Sequence, residues 1–208
     1  MKQIKITLPD GSVKEYDKGI TPLGIAQAIS GRLAKEALIS EINGSMKELD
    51  SPINKDSELK IFTFNDAKGK ETYWHSSSHL MAHAVKELYP EAKFGVGPAI
   101  DNGFYYDIDI GTKLTEEDLL KIENKMREII ERNDSFNRTE LSKNEATEFF
   151  TKQDDEYKLE LIDGLDEDLM AISIYDEGSF TDLCTGPHLL NTGIIKYFKL
   201  LSVSGSYW

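Results

Sequence analysis

The chain has 208 residues, of which 39% are hydrophobic and 29% are charged, a composition that is typical of globular proteins and excludes collagen-like, disordered and membrane-spanning chains. The net charge of −13, with twenty acidic against nine basic residues over 112–178, argues against a protein that binds nucleic acid with its whole surface, and we expect no DNA partner. The single cysteine, Cys184, excludes an internal disulfide, and the N-terminus lacks the apolar block of a signal peptide, so we expect a cytoplasmic protein without membrane contact.

The first 64 residues predict a small ββαββ unit. Residues 4–16 alternate between apolar and polar side chains around a Pro-Asp-Gly turn, which predicts a β-hairpin. Thr21 followed by proline predicts a capped helix that ends before Gly31. Two further strands are predicted around 37–42 and 59–64, separated by an Asn-Gly turn and a polar stretch. Together these elements predict an α+β roll with one helix over a small sheet.

The remaining residues predict a larger α+β region after a polar linker at 65–71. A helix is predicted up to Pro90, followed by a glycine-punctuated strand region over 94–110. Capping boxes at Thr115 and Ser142 predict two further helices. Four more strands are predicted from the segments YKLELI, MAISIY, SFTDLC and IKYFKLLSV. Because the chain stops at Ser206-Tyr207-Trp208 without a charged tail, we expect it to be part of a longer protein.

Two histidine-containing pairs are the strongest indication of chemistry. His75 and His79 are four residues apart on the predicted helix and can converge on one point, and Cys184 and His188 show the same spacing after a predicted strand. Three imidazoles and a thiol are suited to a hydrolytic or a zinc-binding centre. His83 would lie ~12 Å along the helix from His75, so we expect it to be a core histidine outside the centre.

The order of the segments HSSSHLMAHAVKELYP, KFGVGPAIDNGFYYDI, EYKLELI, FTDLCTGPHL and FKLLSVSGSYW closely resembles the N-terminal half of the bacterial threonyl-tRNA synthetases. The resemblance implies a ubiquitin-like β-grasp (TGS) domain over 1–64. It also implies an editing domain over 65–208, in which helices pack on a mainly antiparallel sheet. The aminoacylation domain is absent, so no ligase activity is expected, and the ATP and zinc of the complete enzymes would belong to that domain.

The resemblance also implies a reaction and a set of residues. The expected reaction is hydrolysis of the ester in tRNA(Thr) mischarged with serine, with the tRNA 3′ end and the remaining synthetase domains as partners. Serine lacks one methyl group of threonine, and a binding site can use this difference for only ~1–3 kcal/mol of discrimination. Such enzymes therefore need a second, hydrolytic site. The residues implied as catalytic are His75, His79, Lys158, Cys184 and His188, and those implied as substrate-binding are Asp182, Tyr106 and Gly97.

Three mechanisms use the same side chains. An ordered water can attack the ester directly, zinc can be held by His75, His79, Cys184 and His188, or Cys184 can act as a nucleophile. The resemblance favours the ordered water, which requires no cofactor for editing. A different class of function is a structural zinc module or a tRNA-binding module without hydrolytic activity. In a structural zinc module the metal site would be fully occupied, and removal of the metal would unfold the domain.

Overall fold

A computed structural model describes residues 2–166 and 170–205. The chain forms two compact units, the first made of Met1–Tyr73 with Pro187–Leu190 and the second made of Trp74–Gly186 with Asn191–Trp208. Among the described residues, no helix is long and apolar enough to cross a membrane. The last three residues of the segment FKLLSVSGSYW lie outside the described ranges.

The first unit is a five-stranded mixed sheet with two short helices. Its strands follow the order β2-β1-β5-β3-β4, with β1 parallel to β5 and the other pairs antiparallel. Side chains from β1, α1 and β5 form an apolar core that includes Ile6, Ile25 and Leu59. The elements are β1 (Gln3–Thr7), β2 (Val13–Asp17), α1 (Pro22–Ile29), α2 (Gly31–Glu36), β3 (Ala37–Ile42), β4 (Ser45–Lys47) and β5 (Ser57–Thr63).

The predicted hairpin, capped helix and later strands of the first unit are confirmed. The Thr21 side chain accepts a hydrogen bond from Gly24 N at 3.1 Å, as its position before Pro22 predicts. Helix α2 and strand β4 were not predicted. Ser30 starts α2 by accepting from Leu33 N, so this second helix begins with a cap of its own.

The second unit contains most of helix α3 and a three-stranded antiparallel sheet of order β10-β11-β12. Four two-residue strands, paired β6 with β9 and β7 with β8, form the loop region that follows α3. The elements are α3 (Ala67–Leu88), β6 (Lys93–Phe94), β7 (Ala99–Ile100), β8 (Gly103–Phe104), β9 (Ile108–Asp109), α4 (Glu116–Arg132), β10 (Phe136–Leu141), α5 (Lys143–Lys152), α6 (Glu156–Asp163), β11 (Ile172–Glu177), β12 (Phe180–Leu183) and a 3₁₀ turn (Thr192–Ile194).

The two predicted capping boxes are present. Thr115 N donates to the Asp118 carboxylate at 3.0 Å, and Ser142 N donates to Glu145 at 2.8 Å. The buried face of α4 includes Met126 and Ile129, as the apolar spacing predicts. The antiparallel sheet and its helices confirm the predicted α+β class.

Three predictions of secondary structure in this unit were wrong. The segment YKLELI is helix α6 rather than a strand, because Asp155 caps it by accepting from Lys158 N at 3.3 Å. The segment IKYFKLLSV, residues 195–203, forms no strand, and strand β10 was not predicted. Helix α3 begins at Ala67, inside the segment predicted as a linker, so most of that segment is helical.

Candidate functional site

Helix α3 presents two histidines to the site. His75 and His79 lie one turn apart, and their ring centroids are 4.9 Å apart with the ring planes nearly perpendicular. The ring of His79 is buried, whereas His75 is partly exposed. Between them, the Ser78 hydroxyl lies 2.7 Å from both the His75 and the Gly97 carbonyl oxygens. This serine therefore ties the histidine turn of α3 to the loop that contains Gly97.

Strand β12 and the turn after it supply the second half of the site. Cys184 Sγ lies 3.1 Å from His75 Nε2 and accepts a hydrogen bond from Gly186 N at 3.2 Å. Gly186 has a φ of +66°, and a Cβ there would lie 1.9 Å from the Tyr175 hydroxyl, so only glycine fits this turn. Ligand atoms of His75, His79, Cys184 and His188 all lie within 4.8 Å of one another.

A buried carboxylate, Asp182 of β12, is the centre of the polar network. Its Oδ1 lies 2.5 Å from Lys158 Nζ, and its Oδ2 lies 3.4 Å from His79 Nδ1 and accepts a hydrogen bond from the Tyr106 hydroxyl. The Asp182 and Lys158 side chains are only 1% and 3% exposed. Lys158 also donates to the Gly95 carbonyl at 2.7 Å. A charged pair buried to this degree needs such additional partners.

Burial determines the protonation of two groups in this network. It lowers the pKa of His79 well below the usual range, and the charges of His75 and Lys158 lower it further. Burial raises the pKa of Tyr106 well above its usual value, and the neighbouring Asp182 carboxylate adds to this effect. At neutral pH His79 is therefore a neutral imidazole and Tyr106 a neutral phenol, and both lie beside the Lys158–Asp182 contact.

Gly97 is required for the position of Tyr106. A Cβ on Gly97 would lie 2.3 Å from Cδ2 of the Tyr106 ring, well inside van der Waals contact. Gly97 thus packs against Tyr106, and its carbonyl oxygen accepts a hydrogen bond from Ser78. Its predicted role in binding substrate stays a prediction.

The structure brings together the residues that were predicted from the sequence as catalytic or substrate-binding, and it places His83 elsewhere. Because His83 is fully buried and lies 3.1 Å from the Glu177 carboxylate, the expectation of a core histidine is confirmed. Sequence reasoning missed Ser78 and Asp155. The position of Asp155 at the start of a D-x-x-K segment could have indicated a helix cap, and with it a helical Lys158.

The four clustered donors have the chemistry of a metal site. Three imidazoles and one thiolate are a common set for zinc. The Nδ1 of His79 faces Asp182, an arrangement that orients a histidine ligand and leaves its Nε2 for a metal. The described residues at this site could therefore bind a metal ion.

Comparisons with known proteins match both units. A family model of the TGS domain matches residues 4–63, and a model of the threonyl and alanyl tRNA synthetase second additional domain matches residues 172–207. Threonine–tRNA ligases from Cytophaga hutchinsonii, Porphyromonas gingivalis and Desulforamulus reducens are 48%, 50% and 50% identical over 206, 207 and 205 residues.

These alignments cover 99% of this chain but only 32%, 31% and 32% of the three relatives. The resemblance seen in the sequence motifs is confirmed, and the similarity is to the N-terminal region of these ligases. The chain spans about a third of their length rather than the half that was expected.

Proposed function

We propose that this chain, which is similar throughout to the N-terminal region of threonine–tRNA ligases, hydrolyses the ester of tRNA(Thr) mischarged with serine. In this proposal residues 1–64 form the TGS domain and residues 65–208 form the editing domain. The observation that supports it most is the buried Lys158–Asp182 pair beside the His75–Cys184 contact. Buried charges and groups with perturbed pKa values concentrate at functional sites, because packing alone does not require them.

Selectivity follows from the size of the substrate. A synthetic site that accepts threonine cannot exclude serine by more than ~1–3 kcal/mol, since serine only lacks a methyl group. A second, smaller site can do what the synthetic site cannot. It admits serine and excludes threonine, because the additional methyl group of threonine overlaps with the wall of the site. In this proposal the second site lies beside Tyr106 and Gly97, which pack against each other.

The hydrolytic step is attack of a water molecule on the carbonyl carbon of the ester. The bond between that carbon and the ribose oxygen breaks, and the products are serine and tRNA(Thr). His75, the less buried of the two α3 histidines, takes the proton of the water and returns it to the departing ribose oxygen. The Lys158 ammonium stabilises the negative charge that develops on the carbonyl oxygen.

The other residues bind and orient. Asp182 takes the ammonium group of the serine, and the neutral His79 holds the Asp182 carboxylate in place from 3.4 Å. Cys184 and His188 complete the wall of the pocket. A nucleophilic Cys184 is the competing route, and it differs by forming a covalent seryl thioester.

The metal-binding geometry supports a second candidate function. With His75, His79, Cys184 and His188 all coordinating, the site would be closed, and the domain would be a structural zinc module or a tRNA-binding module without hydrolytic activity. A bound zinc ion that kept an open position would instead polarise the ester carbonyl. The ATP and zinc needed to make threonyl-tRNA would belong to the remaining domains.

The same proposal implies the partners of the chain and its location in the cell. The partners are the 3′ end of tRNA(Thr) and the other synthetase domains, and the location is the cytoplasm. Because the chain carries a net charge of −13, we expect its own affinity for tRNA to be weak and the other domains to supply most of the phosphate contacts.

The test is hydrolysis of seryl-tRNA(Thr) and threonyl-tRNA(Thr) by this chain, with and without a chelator. We expect selective loss of the seryl ester that persists in the chelator. His75→Ala should lower the rate by about 10²–10⁴, the usual contribution of a general acid and base. The threonyl ester is the matched control, since it differs from the substrate by one methyl group.

Each alternative has its own outcome. Stoichiometric zinc, unfolding in the chelator and no hydrolysis of either ester would establish the structural module and reject the proposal. A seryl group trapped on Cys184 by acid quench would establish the nucleophilic route. Equal hydrolysis of both esters would reject the proposed exclusion of threonine.

A further inference from the structure

His83 lies on α3 one turn after His79, and the proposed reaction does not use it. Its imidazole contacts the tip of the β11–β12 hairpin in three ways. Nδ1 is 3.1 Å from Glu177 Oε1, Nε2 is 3.2 Å from Ser179 Oγ, and the ring is stacked on Phe180 with a centroid distance of 6.0 Å. One fully buried side chain thus connects α3 to both strands of the hairpin.

The same two elements hold the proposed catalytic residues. The contact from His79 to Asp182 spans α3 and β12 at 3.4 Å, and the contact from His75 to Cys184 joins α3 to the residue after β12 at 3.1 Å. A small displacement of α3 along the hairpin would change both distances. The contacts of His83 with the hairpin tip oppose such a displacement.

We propose that His83 and Glu177 are positioning residues, which fix α3 against the β11–β12 hairpin and so set the distances between the histidines of α3 and the residues on and after β12. The inference rests on the proposed function for its catalytic consequence only. Its geometric content, the coupling of the hairpin tip to His75 and His79, is independent of the reaction.

The surroundings of the pair indicate which contact crosses between the two elements. His83 also meets Glu87 of α3 at 3.1 Å and Arg132 of α4 at 3.4 Å, with Asp134 next to Arg132. Glu87 belongs to the same helix as His83, so its contact with His83 cannot hold α3 to the hairpin. Glu177 can, and it is buried.

The Glu177 carboxylate depends strongly on His83. Its second oxygen, Oε2, has no hydrogen-bond partner among the residues that the structure describes. Burial raises the pKa of Glu177, and the hydrogen bond from His83 opposes that rise. Removal of the histidine would leave this carboxylate buried without that partner, so substitutions of the hairpin side are the cleaner test.

The experiment compares Glu177→Gln with Glu87→Gln. Each variant replaces a carboxylate that contacts His83, the first on the hairpin and the second on α3. In protein labelled with ¹⁵N-histidine, we expect Glu177→Gln to move the ring signals of His75 and His79 as well as those of His83. Glu87→Gln should move those of His83 alone. Ser179→Ala, at an exposed position, should move the same ring signals as Glu177→Gln, but by a smaller amount. It replaces Glu177→Gln in the test if that variant does not fold.

The kinetic measurement separates this inference from the proposed function. For the seryl ester we expect Glu177→Gln to lower kcat about tenfold with KM within twofold, and Glu87→Gln to leave both within twofold. If the unsubstituted chain does not hydrolyse the ester, the proposed function fails while the histidine signals still test the positioning. Signals of His75 and His79 that stay unchanged in Glu177→Gln and in Ser179→Ala would overturn the inference.

Discussion

The two units differ in the way they accommodate charge. In the first unit, Glu41 pairs with Lys60 and Lys68, whose side chains are 52% and 45% exposed. In the second unit, Lys158 and Asp182 pair with side chains that are 3% and 1% exposed. The first arrangement keeps the cations in water, and the second removes both charges from it. Removing two charges from water has a desolvation cost that can exceed their attraction, so the second pair is weak evidence for stability.

The difference extends to the side chains that the two units bury. The core of the first unit is aliphatic, and its sheet and helices account for its side chains. The second unit buries the His79, Lys158 and Asp182 side chains in one network and the His83 and Glu177 side chains in another. Buried polar networks specify one arrangement of their elements, which is the requirement for a site with fixed geometry.

Lys158→Met gives the largest expected effect. It leaves the Asp182 carboxylate buried without its ammonium partner, which typically costs about 3–5 kcal/mol. Lys68→Met in the first unit should leave the free energy of unfolding unchanged within error, because the lysine is half exposed. Urea unfolding followed by circular dichroism measures the difference. The double variant Lys158→Met/Asp182→Asn should be more stable than Lys158→Met alone, and equal losses in the two single lysine variants would contradict the comparison.

The first unit was the easier one to predict, because its signals are local. The hairpin turn, the Thr21 cap and the alternation of β1 each depend on residues within a few positions. In the second unit, YKLELI alternates like a strand, yet a cap at Asp155 and the burial of Lys158 and Ile162 on one side make it a helix. The alternation of six residues could not distinguish a strand from a helix, because the partner of Lys158 is Asp182, 24 positions later in the chain.

The site was predictable in part for the same reason. The spacing of His75 and His79 follows from helical periodicity, and the Cys184–His188 pair repeats it. Lys158 and Asp182 were assigned only through the resemblance to a family, since an isolated lysine or aspartate carries no local signal. The contact between His83 and Glu177 joins residues 94 positions apart, and nothing in either neighbourhood of the sequence indicates it.

Gly97→Ala gives an intermediate effect. The added Cβ would lie 2.3 Å from the Tyr106 ring, so the ring must move and its hydroxyl must leave Asp182. Overpacking of this kind costs about 1–3 kcal/mol, and we expect hydrolysis to fall at least tenfold. Gly31→Ala is the matched control in the first unit, because no atom lies within 4 Å of its Cβ position and it begins a helix.

The control should be neutral or stabilising by up to about 1 kcal/mol. Thermal unfolding and the rate of ester hydrolysis give the two measurements. A Gly97→Ala variant with full activity would show that Tyr106 does not depend on close packing at Gly97, and the site would then resemble the first unit in its tolerance.

The smallest expected effect is a dependence on pH that the surroundings of His79 should show and that residues 1–73 should not. Burial lowers the pKa of His79, so the folded state keeps this imidazole neutral while the unfolded chain takes up a proton below about pH 6.5. The contribution of His79 to stability is therefore present above that pH and decreases below it, by about 1.4 kcal/mol between pH 7.5 and 5.5. Residues 1–73 contain no histidine, so the amides of β1 and β3 should keep their protection.

Hydrogen exchange, corrected for the intrinsic effect of pH, measures both units in one sample. His79→Gln should remove the loss at low pH, because its amide can still contact Asp182 but does not titrate. The raised pKa values of Asp155 and Glu177 act in the opposite direction, since the folded state then binds protons more readily, but they are present in both variants and cancel in the difference. If both variants lose the same protection, a charged His79 is accommodated in the fold, and burial does not keep the site neutral.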